Sequence, residues 1–105
     1  MAIVVIDHHL KDFDTWFELF SANPPPPIGN WRLARGTDDP NRVHVVGMME
    51  ASEVEAAKSF FASDKMRAVL DQAGEMSTSP IEWIWLEEVG PAQVPVYVAR
   101  ETGVS

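Results

Sequence analysis

The chain has 105 residues, a net charge of -8 and no cysteine, a length that supports one hydrophobic core and leaves no room for a second. Sixteen acidic against eight basic side chains exclude a surface that tracks nucleic-acid phosphates, which needs clustered Lys and Arg. The lack of cysteine removes disulfides, thiolate nucleophiles and cysteine-ligated metals, so any chemistry rests on three histidines, carboxylates, arginines and hydroxyls.

Residues 2–9 form a β-branched apolar run that ends in Asp7-His8-His9, the pattern of a buried central strand as it emerges. The run has no basic leader and is too short for a signal peptide or a membrane span, so a cytoplasmic protein without a membrane partner is expected. Asp12 can cap a helix in which Phe13, Trp16, Phe17 and Phe20 make one apolar face to about Ala22. Asn23 and the tetraproline Pro24–Pro27 stop it and predict a stiff connection.

Asn30–Arg35 and Arg42–Met49 have strand character and flank a cluster of turn formers, Gly36 to Asn41, predicting a hairpin. Ser52 with Glu55 offers a capping box for a helix that buries Val54, Ala57, Phe60 and Phe61. Ser63-Asp64 marks a break or a second cap, after which Met66, Val69, Leu70 and Ala73 carry the stripe to Gly74. Ile81–Leu86 alternates as a last strand, with Trp83 and Trp85 on one face and Glu82 and Ile84 on the other. Beyond residue 90, Val94-Pro95-Val96-Tyr97-Val98 has β character and is expected to serve as an edge strand at a dimer interface. The expected organisation is one domain over 1–90 and a tail over 91–105.

Strand, helix, strand, strand, helix, strand predicts an α+β, ferredoxin-like β-α-β-β-α-β fold, an antiparallel four-stranded sheet with helices on one face. The strands are apolar on both faces, so the uncovered face is expected to pack on a second copy, giving a homodimer of the dimeric α/β-barrel type. In this order the end of strand one lies beside the beginnings of strands three and four. His8, His9, His44, Glu82 and Trp83 then gather at one end of the sheet, with Arg35 and Arg42 near them. The period of two lets only one of His8 and His9 share a face with His44, and the register stays open.

Four stretches carry a family resemblance: His8-His9-Leu10-Lys11-Asp12-Phe13-Asp14-Thr15-Trp16, Asp38-Asp39-Pro40-Asn41-Arg42-Val43, Ala62-Ser63-Asp64 with Met66-Arg67, and Trp83-Ile84-Trp85-Leu86-Glu87-Glu88. Together they resemble small dimeric α/β-barrel proteins related to antibiotic-biosynthesis monooxygenases and polyketide-type cyclases, over roughly residues 3–89. The resemblance implies a ligand cavity between sheet and helices with a strand-one histidine nearby, a position that His8 matches. The tetraproline loop and the tail depart from the family pattern and point to a different pocket entrance. A shared fold of this kind does not fix a reaction.

His8 is the candidate general base, since an imidazole of ordinary pKa near 6.5 exchanges protons at neutral pH. His44 is the second catalytic candidate; it or Arg35 would steady the resulting anion, while His9 has no counterpart in the family. A hairpin-end Arg35 or Arg42 could instead pair with Asp38 or Asp39. Trp16, Phe17, Trp31, Phe61 and Trp83, with Trp85, are aromatic candidates for lining an apolar ligand pocket; most must be core in so small a domain, and no more than about two are expected to touch a ligand. A metal needs three or four converging ligands and the sequence offers only a His pair with Glu82, so neither a metal nor a cofactor is expected. Two functions compete: a cofactor-independent cyclase, isomerase or monooxygenase acting on a small hydrophobic oxygenated or aromatic molecule, and a non-catalytic dimeric ligand-binding or stress-related protein.

Overall fold

The structure, a computed structural model, describes residues 1–90. Strand β1 spans Ala2–His9, helix α1 Phe13–Ala22, β2 Asn30–Arg35, β3 Arg42–Met49, α2 Val54–Phe61, α3 Asp64–Glu75 and β4 Glu82–Glu87. The strands form one antiparallel sheet in the order β2-β3-β1-β4, the ferredoxin-like α+β arrangement expected from the element order. The edge strand expected over residues 94–98 lies outside the described residues.

Local chemistry explains most boundaries. Asp12 caps α1, its carboxylate accepting from the Thr15 amide at 3.0 Å and the Thr15 hydroxyl at 2.8 Å. Ser63 starts α3 by accepting from the Met66 amide at 3.4 Å while its own hydroxyl donates to the Phe60 carbonyl at 2.7 Å. The second crossover is therefore two helices meeting at one serine. Its opening differs from expectation, because Ser52 is exposed and caps nothing. Instead the Glu50 amide donates to the Glu53 side chain at 2.9 Å, and a 3-10 turn over Ala51–Glu53 precedes α2. The last strand lies one residue later than Ile81–Leu86.

Asn41, closing the Asp-Asp-Pro-Asn turn, holds the end of β1 against the start of α1. Its carbonyl accepts from the Leu10 amide at 2.7 Å and its side chain from the Phe13 amide at 3.0 Å. Burial along β1 alternates strictly, with Ala2, Val4, Ile6 and His8 facing the core. They pack with Val43, Val45 and Met49 of β3, Trp16 of α1, Ala57 of α2 and Ala73 of α3. The other face carries Ile3, Val5 and Val46 together with Met48, Ile84 and Leu86, residues that are 41%, 44% and 48% exposed.

Register settles the histidine question. Asp7 lies opposite His44, and His8 opposite Val43; directly paired residues share a face. His9, not His8, therefore shares the open face with His44.

Candidate functional site: a cavity at the end of the central strand

Between the sheet and the helices lies a cavity of about 60 Å³. Its floor is Ile6, His8, Val45 and Trp83 from the inner face of the sheet, and its walls are Trp16, Leu19 and Phe20 of α1, Phe61 of α2, and Met66, Val69, Leu70 and Ala73 of α3. Asn23 and Pro25 complete the lining. A surface hollow of about 250 Å³ shares Asn23, Pro25 and Met66 with it and adds Pro24, Pro27, Phe60, Ser63 and Lys65. The tetraproline loop thus stands between cavity and surface, anchored by a fully buried Pro26.

His8 is 3% exposed, the one polar side chain among the buried residues described. Its imidazole meets Trp16 edge to face at a centroid distance of 5.5 Å. Burial pushes its pKa from 6.5 down to about 4, against an opposing pull from the Asp7 carboxylate. Desolvation wins because the charged ring would sit in apolar surroundings while Asp7 lies across the sheet. The ring is consequently neutral at pH 7, and the titration near neutrality expected from the sequence is absent. Nδ1 lies 3.5 Å from the Ser77 hydroxyl, which itself donates to the Ala73 carbonyl at 2.8 Å.

Three of the aromatic candidates, Trp16, Phe61 and Trp83, line the cavity with His8. Phe17 is 41% exposed and stacks on Phe13 at 5.4 Å. Trp31 lies outside the lining, edge-on to Phe61 at 5.7 Å, with its indole N–H donating to the Ile28 carbonyl at 2.8 Å. Arg35 is on the inner face but lies over the Phe13 ring at 3.8 Å and donates to the Pro40 carbonyl at 2.8 Å, outside the cavity. His44 is across the sheet from His8, its Nε2 2.9 Å from the Asp7 carboxylate, which Arg42 also approaches at 3.4 Å. Neither Arg35 nor His44 is therefore in place to steady an anion formed at His8, and neither arginine has its ion pair with Asp38 or Asp39. It is His9 that approaches Asp39, at 4.0 Å. Among the described residues no three His, Asp or Glu side chains converge as a metal site.

Sequence reasoning passed over Asn23 and Ser77. Asn23 stood out only as the residue before the prolines. Ser77 sits in a Ser-Thr-Ser-Pro stretch with no periodicity to mark it.

No protein-family profile and no curated relative matches the sequence. Solved structures do match in shape. A crystal structure of an antibiotic biosynthesis monooxygenase superposes with a TM-score of 0.66 at 11% identity, covering 86% of this chain and 100% of that one. The protein Rv0793 from Mycobacterium tuberculosis gives 0.66 at 15% identity, covering 89% and 100%. SnoaB, a cofactor-independent oxygenase from Streptomyces nogalater, gives 0.67 at 12% identity, covering 87% and 95%. The chain thus has the fold of antibiotic-biosynthesis-monooxygenase-like proteins, over nearly the full length of each.

Proposed function

We propose that this chain is a small cofactor-independent enzyme, of cyclase, isomerase or monooxygenase type, that takes a hydrophobic oxygenated or aromatic molecule into the cavity at His8 and acts as a homodimer. The observation that carries the reading is a single neutral imidazole set in a cavity whose lining is apolar but for Asn23. Such a ring accepts a proton from an acidic O–H, or from a C–H next to a carbonyl, while the apolar walls keep water from the anion. The likeness to a cofactor-independent oxygenase supports this at the level of fold.

Magnitudes bound the chemistry. Moving a proton from a phenol-like acid of pKa about 10 to an imidazole of pKa about 4 is uphill by about 8 kcal/mol. That fits under the barrier of about 17 kcal/mol that corresponds to one turnover per second, and the new anion raises the basicity of His8 as it forms. Space is tighter than energy. At about 60 Å³ the cavity is well below the roughly 150 Å³ that accommodates benzene in a protein interior. A ring enters only if the walls give way, and the hollow beyond Pro25 and Met66 leaves room for that.

That small volume is what favours the second reading, a non-catalytic dimeric ligand-binding protein. Titration of the full chain with a panel of small hydroxylated aromatics, followed by Trp emission, tests the site, since Trp16 and Trp83 line it. Product analysis on the binders, with wild type and His8→Ala, then separates the readings. Turnover that falls about a hundred- to ten-thousand-fold in the variant supports the enzyme. Binding without turnover supports the alternative, and no binding removes the cavity as a site.

A further inference from the structure

We propose that Ser77 is a positioning residue that keeps the His8 proton on Nδ1, so that Nε2 meets the ligand as a hydrogen-bond acceptor and selects neutral molecules bearing an O–H or N–H. The ligand half of this rests on the cavity reading above; the Ser77 half does not.

A hydroxyl has one proton to donate. In Ser77 it goes to the Ala73 carbonyl at 2.8 Å, and the contact with His8 Nδ1 is longer, 3.5 Å. The shorter bond holds the proton, so toward His8 the Ser77 oxygen presents lone pairs. A proton on Nδ1 meets them favourably; a bare Nδ1 would set lone pair against lone pair. The serine is also held in place relative to the ring. Thr78 donates its amide to the His9 carbonyl at 2.6 Å, and the Lys11 amide donates to the Met76 carbonyl at 2.9 Å, so residues on both sides of Ser77 are bonded to the chain just past His8.

Nε2 then remains as the nitrogen without a protein partner among the described residues, and His8 lines the cavity. Because the ring is neutral at pH 7, it offers a ligand a lone pair and no positive charge. No Lys or Arg lines the cavity. The one other polar side chain of the lining, Asn23, already donates its side-chain amide to the Leu19 carbonyl at 3.1 Å, so a carboxylate would lose its hydration with no cation in return, whereas a hydroxyl group would find its acceptor.

Long-range nitrogen–proton correlation spectra of the full nitrogen-15-labelled chain at pH 7 read the tautomer directly, with the His8 signals assigned by their loss in His8→Gln. Wild type should show a protonated Nδ1 and a bare Nε2. Ser77→Ala should move the proton wholly or partly to Nε2, and Ser77→Thr, which keeps the hydroxyl, should restore it. An Nε2-protonated ring in wild type, or an unchanged ring in Ser77→Ala, overturns the role of Ser77. For the ligand half, phenol, anisole and benzoate are titrated against Trp emission, and phenol should bind about tenfold more tightly than either of the others. Anisole or benzoate binding as well as phenol overturns the acceptor assignment while leaving the cavity a ligand site. Binding by none of the three overturns the ligand half together with that site, and the spectra still decide Ser77.

Discussion

His8 shows how far a residue's place and its chemistry can be read separately. Its place at the end of a central strand was legible from the apolar run that precedes it. Its chemistry was not, because the pKa is set by what covers the ring, Trp16 from one helix and Ser77 from just past the end of another. Burial gives the group a stability signature with a definite sign. Between pH 6.5 and about 4 the unfolded chain binds a proton at this residue that the folded chain refuses, so folding stability rises with pH across that window. The contribution is fully present above about pH 6.5 and is lost as pH falls toward 4, amounting to on the order of 3 kcal/mol for a ring only 3% exposed. Denaturant unfolding of wild type and His8→Gln at several pH values checks this. Carboxylate effects are common to both proteins, so the difference in unfolding free energy between them should shrink toward acid, and a difference that is flat with pH would mean that the ring is hydrated.

At the scale of elements, periodicity located all four strands to within one residue, and the turn chemistry of Ser63 divided the second crossover where the helices part. The capping error at its start has a simple cause. Glu50 is not a favoured cap type by composition, yet its amide is what Glu53 reaches, whereas Ser52 falls within the 3-10 turn. Ser63→Ala should cost about 1 kcal/mol in thermal unfolding, the usual loss for a helix N-cap. A larger effect is expected at Gly47 of β3. A β-carbon there would sit 2.5 Å from the indole ring of Trp31, on the strand-paired position opposite. The indole is pinned by its bond to the Ile28 carbonyl and cannot swing freely, so Gly47→Ala should destabilise by about 1–3 kcal/mol and shift Trp31 emission. Unchanged stability would show that the ring has room to move.

At the scale of the molecule, the order of elements was enough for the topology but not for the contents of each face. A slip of one residue in β1 would exchange His8 with His9 and turn the cavity's imidazole out to the open side. The same alternation leaves Ile3, Val5, Val46, Met48, Ile84 and Leu86 together on the face without helices. If covering each partly exposed side chain is worth about 1 kcal/mol, six per copy on two copies give about 12 kcal/mol. Lost translational and rotational freedom takes back at least about 4 kcal/mol, so at most about 8 kcal/mol remain, a Kd of about micromolar at its tightest. Face-to-face pairing of two copies is therefore expected at tens of micromolar chain and above, where light scattering should give about twice the 11.7 kDa chain mass. Ile84→Asp places a carboxylate at the middle of β4 on that face, where pairing would bury it without a partner, and should return the chain mass while the far-ultraviolet circular dichroism stays as in wild type. A wild-type protein that scatters as a single chain at tens of micromolar would mean that the open face is not where this chain meets itself.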